Sequence, residues 1–319
     1  MNRVCEILGI TKPVIQAPMA WITSSDLVAA VSNAGGLGVL GTSADFTEIV
    51  KGVEETVEEM RKTIRRTKEL TDKPFGINVF PKAADPYGFS EATIRLAKEE
   101  GVKVLVVAGN VSADEIKAWK NDGFIVIMRE PNPTVRGAIE AEKAGADIIV
   151  ATGCDEGGCM PSLTSGTTAV TALLSENVNI PVLAAGGIVN DKMALAAKVV
   201  GAEGVFVGTR FILSKECRAA DATKADIMAT HPDDYIVFTQ MDGNARWRTT
   251  PHKHGIEGLE ANKRGDLNPP SGSFFYGMLK GDPDAGVNTV ANVTSLIRSI
   301  DSCEDIVNEL SRPFADPDM

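Results

Sequence analysis

Short apolar runs bounded by glycine or proline recur along the first two thirds of the chain, and amphipathic segments separate them. Such runs are typical of buried parallel strands, because both faces of those strands are covered. The pattern predicts strands at residues 14–17, 37–40, 75–79, 103–108, 124–128, 147–151, 181–185 and 204–207.

The segments between these strands have the apolar spacing and the terminal cap residues of helices. Helices are predicted at residues 25–33, 45–64, 91–100, 113–121, 134–144, 167–176 and 190–200. Uniform alternation of strand and helix implies a parallel sheet that is covered on both faces. Eight strand–helix units favour a closed (β/α)₈ TIM barrel over an open doubly wound sheet.

The alternation stops after residue 211. Residues 216–280 hold the three histidines of the chain and a local excess of basic over acidic residues at 246–264. We interpret 216–280 as an inserted lid over the active-site face, with an ordinary solvated loop as the alternative. Residues 290–310 are predicted to return to helix. The barrel would then comprise residues 1–215 and 281–319.

Composition excludes several classes of partner. The chain has 319 residues and a formal net charge of −11, which argues against nucleic acid or an anionic membrane as the main partner. We find neither an 18-residue apolar run nor a signal-peptide pattern, so a cytoplasmic protein is expected. Its five cysteines are scattered, and Cys154 and Cys159 lack further ligands nearby, so no metal site is expected.

Glycines follow the last two predicted strands. Gly186 and Gly187 come after residues 181–185, and Gly208 comes after residues 204–207, with Thr209 next. Glycine lets backbone N–H groups approach an anion closely, and the corresponding loops of TIM barrels form a phosphate site. We predict a phosphate cradle here, with two plain tight turns as the alternative.

Other strand ends carry candidate chemistry, because catalytic residues of a barrel lie at the carboxyl ends of its strands. Asn78 ends an apolar strand and is suited to hydrogen-bonding a planar heterocycle, although a capping role fits equally well. Met19 is a candidate for packing on a ring face or for the core. The glycine-rich loop 152–160 carries Asp155 and Cys159, where Cys159 is either a reactive thiol or a buried inert one.

Six short motifs together resemble the nitronate monooxygenase (2-nitropropane dioxygenase) family, which includes flavin-dependent enoyl-acyl-carrier-protein reductases. The motifs are Ile15-Gln-Ala-Pro-Met19, Ala34-Gly-Gly-Leu-Gly38, Phe75-Gly-Ile-Asn78, Ala144-Gly-Ala-Asp147, Ala185-Gly-Gly-Ile188 and Gly208-Thr-Arg-Phe211.

The resemblance implies a TIM barrel that holds non-covalent FMN. Ala17, Pro18, Met19 and Asn78 would then lie near the isoalloxazine ring. The phosphate would be held by Gly186, Gly187, Gly208 and Thr209. FMN rather than FAD is also favoured by the single cradle and by the absence of a Gly-x-Gly-x-x-Gly turn after the first strand.

The chain departs from the family where a catalytic histidine is expected. Its loop reads Gly157-Gly158-Cys159, and Asp155 stands where the family has Glu. We expect Cys159 and Asp155 to be catalytic residues. Two nearby carboxylates disfavour a thiolate, so a neutral thiol and slow deprotonation of a neutral nitroalkane are expected.

The function expected from these residues is an FMN-dependent oxidoreductase that oxidises a nitronate or a similar small anionic substrate with O₂. The alternatives are an NAD(P)H-dependent reductase of an activated alkene such as an enoyl thioester, a covalent mechanism through Cys159, and a non-catalytic FMN or phosphate binder. NAD(P)H is a candidate co-substrate, and a homodimer is a candidate assembly.

Overall fold

The computed structural model describes residues 2–270 and 272–315. Residue 1, residue 271 and residues 316–319, which the predicted domain boundaries include, lie outside this part. The strands are β1 (Val14–Gln16), β2 (Gly38–Leu40), β3 (Phe75–Val79), β4 (Val104–Ala108), β5 (Ile125–Arg129), β6 (Ile148–Thr152), β7 (Gly158–Pro161), β8 (Val182–Ala185), β9 (Gly204–Val207), β10 (Ile236–Gln240) and β11 (Ala245–Thr249).

Eight of these strands form one parallel sheet in the order β1-β9-β8-β6-β5-β4-β3-β2. The two edge strands meet as well: Gln16 N donates to Leu37 O and Leu37 N donates to Val14 O, each at 2.9 Å. These bonds close the sheet into a barrel. The predicted (β/α)₈ fold is therefore confirmed.

The described α-helices are α1 (Arg3–Leu8), α2 (Ser25–Asn33), α3 (Val53–Leu70), α4 (Phe89–Glu99), α5 (Ala113–Asn121), α6 (Val135–Ala144), α7 (Thr167–Ser175), α8 (Asp191–Val199), α9 (Thr209–Ile212), α10 (Asp221–Ala229), α11 (Lys253–Lys263) and α12 (Cys303–Ala315). The helices that alternate with the barrel strands cover the outside of the barrel. In the part of the chain described, no helix combines the length and the apolar character needed to span a membrane.

Two predicted helix starts are wrong. The helix predicted from residue 45 begins at Val53, because Asp45 has a φ of 63° and its carboxylate accepts from Ser25 N at the start of α2. The helix predicted from residue 290 begins at Cys303, where the Ser302 hydroxyl accepts from Asp305 N at 3.1 Å. Residues 290–302 instead form an irregular segment with one short 3₁₀ turn.

The apolar core fills the barrel interior and extends to helix α1 at one end, so the opposite end is open to a binding site. Inward-facing residues such as Val106, Val150 and Leu183 form one apolar cluster with Val4 and Leu8 of α1. The same helix is anchored near the starts of β8 and β9, where the Arg3 guanidinium donates to Asn179 O and pairs with Glu203. Because α1 packs at the amino-terminal end of the strands, the carboxyl end is where a ligand enters.

A second, antiparallel sheet lies outside the barrel and was not predicted. It has the order β10-β11-β7, so a hairpin from the predicted lid pairs with a strand from the loop after β6. The described residues of 216–280 also include α10, α11 and a π-helical turn at Phe275–Leu279. The segment is therefore folded and is not an unstructured loop.

Candidate active site

A cavity of about 310 Å³ lies at the carboxyl ends of the barrel strands. Every predicted site residue except Asp155 lines it. These residues are Ala17, Pro18, Met19, Asn78, Cys159, Gly186, Gly187, Gly208 and Thr209. The structure thus brings the strand-end candidates together, as the closure of the barrel requires.

The predicted phosphate turns expose unpaired backbone donors. Within the described hydrogen bonds, the backbone N–H groups of Gly187, Gly208 and Thr209 have no protein partner. Buried or half-buried N–H groups are nearly always paired, so an acceptor from outside the chain fits here. Gly186 and Gly187 have φ values of 110° and 65°, which is the region that glycine adopts readily.

Gly208 differs from the other two glycines, because its φ of −105° is open to any residue. A Cβ atom there would lie 3.7 Å from Ala17 Cβ and 3.8 Å from Met19 Sδ, which are ordinary contacts with two residues of the cavity wall. The contacts within the protein would therefore tolerate a side chain at position 208. That side chain would occupy cavity space, so its absence suits close approach of a ligand.

Asn78 presents half of its amide group to the cavity. Its Nδ2 atom donates to Val106 O at 3.0 Å, while its Oδ1 atom has no partner among the described residues. Met19 is held through its backbone, since its N–H donates to the Thr23 hydroxyl at 2.9 Å and its carbonyl accepts from the same hydroxyl. The Asn78 side chain and the Met19 backbone are therefore held in place.

Cys159 lies on β7, directly opposite Trp247 of β11. Burial raises the pKa of its thiol, the Arg129 guanidinium offsets part of this rise, and the Glu156 carboxylate adds to it. The thiol is therefore neutral at pH 7. The sequence attributed this state to two carboxylates, whereas the structure attributes it chiefly to burial, with only Glu156 contributing.

Asp155, predicted as catalytic, is not among the residues that line the cavity. Its carboxylate accepts from Thr167 N at 2.7 Å and from Asn292 Nδ2 at 2.8 Å. It joins the loop after β6 to the start of α7 and to the segment before α12. These contacts are those of a positioning residue, and no contact in the structure supports the predicted catalytic role.

Two charged residues of the cavity were missed by the sequence analysis. Arg129 Nη2 donates to Glu156 Oε1 at 2.6 Å and to Cys159 O at 3.3 Å. The Arg129 and Glu156 side chains are only 17% and 14% exposed. Burial raises the pKa of Glu156 to about 7, and Arg129 offsets part of this rise. Arg129 directly follows a predicted strand, a signal that strand-end reasoning could have used.

Aromatic residues from the predicted lid segment form another wall. The rings of Trp247 and Phe274 lie 4.9 Å apart, and both line the cavity together with Met278. Such an arrangement offers apolar surface to an organic substrate next to the charged pair.

Two of the five cationic residues at 246–264 are held by backbone carbonyl groups. Arg246 Nη2 donates to Pro161 O at 2.8 Å, and Arg248 Nη1 donates to Glu156 O at 2.6 Å. Arg248 is also buried. Both guanidinium groups are thus used to attach the hairpin to the loop after β6, and neither is a free surface cation.

The family model for nitronate monooxygenase matches residues 1–312. The chain belongs to the nitronate monooxygenase family. This confirms the resemblance carried by the six motifs and makes the chain a member of an oxidoreductase family.

Similar proteins have more than one activity. An octahydroindene-carboxyl-CoA dehydrogenase of Mycobacterium tuberculosis is 34% identical over 272 residues, which is 81% of this chain and 68% of that protein. A probable nitronate monooxygenase of Staphylococcus aureus is 30% identical over 76% of each chain. FabK from Thermotoga maritima is 29% identical, with a TM-score of 0.82 over 99% of this chain and 96% of that one.

Proposed function

We propose that this member of the nitronate monooxygenase family is an FMN-dependent oxidoreductase that oxidises a nitronate or a similar small anion with O₂ as acceptor. The observation that carries the proposal is the cradle at Gly187, Gly208 and Thr209. It combines unpaired backbone donors with a glycine whose side-chain space belongs to the cavity. A phosphate group fits both features.

Named residues would hold the cofactor. The backbone donors at Gly187, Gly208 and Thr209 would bind the phosphate, and Ala17, Pro18, Met19 and Asn78 would contact the ring system. Asn78 Oδ1, which lacks a protein partner, is suited to accept from a ring N–H. When bound, FMN supplies the electron transfer between an organic substrate and O₂.

The remaining wall suits a small anion with an apolar body. Arg129 provides a cationic guanidinium, and Trp247 and Phe274 provide apolar surface. A nitronate is already an anion, so the neutral Cys159 thiol does not limit its oxidation. We further propose that segment 216–280 serves as the cover of the active-site face, because these aromatic rings come from it.

A second candidate is an NAD(P)H-dependent reductase of an activated alkene carried on a thioester. It is favoured by the similarity to a dehydrogenase named for a CoA ester and to FabK. In that reaction the nicotinamide nucleotide would be the hydride donor, and the thioester would occupy the same aromatic wall.

Anaerobic mixing of the purified protein with each electron donor separates the candidates. We expect a nitronate to bleach the flavin, and bleaching by NADH or NADPH alone would favour the second candidate. The released cofactor is identified by mass. FAD, or no flavin in the protein, would overturn the cofactor assignment.

A further inference from the structure

The cavity holds few groups that can exchange a proton. Arg129, Glu156 and Cys159 are the ionisable side chains among its lining residues, and no histidine is among them. The three histidines are placed elsewhere: His252 pairs with Asp226, while His231 and His254 lie near acidic residues of their own segments.

Two of the three groups are unsuited to accept a proton near neutral pH. Arginine stays protonated in proteins, so Arg129 cannot act as a base. The Cys159 thiol has a raised pKa and is a poor base while it remains protonated. Glu156 is the remaining group, and it is a carboxylate in a largely water-excluded position.

The position of Glu156 is fixed through its backbone as well as its side chain. Its N–H donates to Gly153 O at 3.2 Å, and its carbonyl accepts from Arg248 Nη1 at 2.6 Å. One carboxylate oxygen, Oε1, is held by Arg129. The other oxygen has no partner among the described residues, so it is left to accept from a ligand in the cavity. Such preorganisation is what a general base requires.

We propose that Glu156 is the catalytic base that removes a proton from a carbon acid, such as a neutral nitroalkane, bound in the cavity. The C–H bond next to the nitro group breaks, its electron pair stays on the substrate as the nitronate, and the proton passes to the Glu156 carboxylate. Water later takes that proton. No oxidant or reductant enters this step, and Arg129 is placed to stabilise the charge that develops on the nitro group.

This inference rests on the proposed function for its substrate class, and it leads to the opposite expectation from the slow use of neutral nitroalkanes that the Cys159 thiol alone suggested. The charged or titratable groups that face Glu156 are Arg129 of β5, Arg248 of β11 and Cys159 of β7. Burial raises the pKa of Glu156 to about 7, against the lowering effect of the two arginines. A base must be deprotonated to act, so proton removal should accelerate as pH rises through about 7.

Exchange of the substrate α-hydrogen for solvent deuterium measures proton removal alone, because no electron transfer accompanies it. The holoenzyme is reduced with dithionite under nitrogen and mixed with 2-nitropropane in deuterated buffer, and loss of the C–H signal is followed by proton NMR. We expect Glu156→Gln to exchange about a hundredfold or more slowly than the wild type, which is the scale of general-base catalysis. Glu156→Asp should recover part of the rate.

Glu130→Gln is the matched control. Glu130 directly follows β5, and burial raises its pKa too, but it does not line the cavity. We expect this variant to stay within about twofold of the wild type, because Glu130 does not line the cavity and cannot contact the substrate. The wild-type exchange rate should also rise with pH and level off above about pH 7, a readout that needs no variant.

Three results of the exchange experiment would contradict the proposed role of Glu156. Wild-type exchange in Glu156→Gln, no exchange by the wild type, or a rate that is independent of pH would overturn the role of Glu156. Failure of the proposed oxidation gives a different signature: a preformed nitronate would not bleach the oxidised flavin of the wild type, although exchange would persist.

Discussion

Gly187 and Gly208 are both glycines of the cradle, but for different physical reasons. Gly187 has a positive φ, and a Cβ atom there would come within 3.0 Å of Asp155 Cβ. A side chain at Gly187 would therefore strain the protein itself. Gly208 has an unstrained backbone and open space that belongs to the cavity. Only a change at Gly208 can test ligand binding without also testing the fold.

We expect Gly208→Ala to weaken FMN binding by about tenfold or more, which is about 1.4 kcal/mol, while leaving the apoprotein about as stable as the wild type. The added methyl group would occupy the approach of the phosphate. Fluorescence titration with FMN and thermal unfolding of the apoprotein measure the two effects. Gly52→Ala is the control, because its Cβ would contact only Glu55 Cβ at 3.8 Å. Unchanged FMN affinity in Gly208→Ala would contradict the cradle.

Cys159→Ser should leave flavin reduction by a preformed nitronate within about tenfold of the wild type, a loss of about 1.4 kcal/mol at most. The reason is that burial keeps the thiol neutral, so it supplies neither a base nor a nucleophile. Anaerobic stopped-flow absorbance measures the rate. A thousandfold loss with every electron donor, together with rapid iodoacetamide labelling at pH 6, would instead support the covalent mechanism.

Among the elements, Asp155 connects the loop after β6, helix α7 and the segment before α12. We expect Asp155→Ala to lower the free energy of unfolding by about 1–3 kcal/mol, because Thr167 N and Asn292 Nδ2 both lose their acceptor. FMN affinity should fall as well, since Gly187 packs against this residue.

Urea unfolding and FMN titration measure both effects of Asp155→Ala. Asp114→Ala in the first turn of α5 is the control, because that side chain is 97% exposed. It should change stability by less than about 0.5 kcal/mol. If Asp155→Ala and Asp114→Ala had the same free energy of unfolding, the hydrogen bonds of Asp155 to Thr167 and Asn292 would not stabilise the fold.

The sequence predicted the barrel because strands and helices of this fold carry local signals. Helix α5 has its predicted bounds, since Ser112 and Glu115 form a capping box. The hairpin was missed, although Asp242-Gly243 between two alternating segments is a turn signal. Strand β7 forms because β11 pairs with it. The local sequence of β7 carries no pattern that predicts a partner so distant in the chain.

The predicted glycine turns and strand ends lie together in one cavity, whereas its charged pair was not predicted. Strand ends converge because the barrel closes, which the alternation of elements already implies. The loop carrying Asp155 and Glu156 is different, because neighbouring carboxylates there face different surroundings. Only the coordinates show that Asp155 is tied to Asn292 while Glu156 pairs with Arg129 in the cavity.

At the scale of the whole molecule, the net negative charge disfavours long-range attraction of an anionic substrate. The net charge is −11, and Arg246 and Arg248 are bound to backbone carbonyls. We expect kcat/KM for an anionic nitronate to rise or stay constant between about 0.01 M and 0.1 M salt, as the screening length falls from about 30 Å to about 10 Å.

Steady-state assays over this salt range, with a neutral nitroalkane as the control substrate, measure the effect. The control should not respond to salt. A large fall for the nitronate alone would contradict this expectation and would mean that an attractive cationic surface, such as the exposed basic residues of 246–264, guides the substrate.

The ladder between β7 and β11 joins two parts of the cavity wall, because Cys159 and Trp247 both line the cavity. Because Cys159 pairs with Trp247, the hairpin cannot swing outward as a rigid flap while that ladder is intact. Backbone amides of the two strands should therefore exchange with deuterated solvent together, since units that open cooperatively share one protection factor. In hydrogen-exchange mass spectrometry, peptides covering 157–162 and 244–250 should be labelled in step.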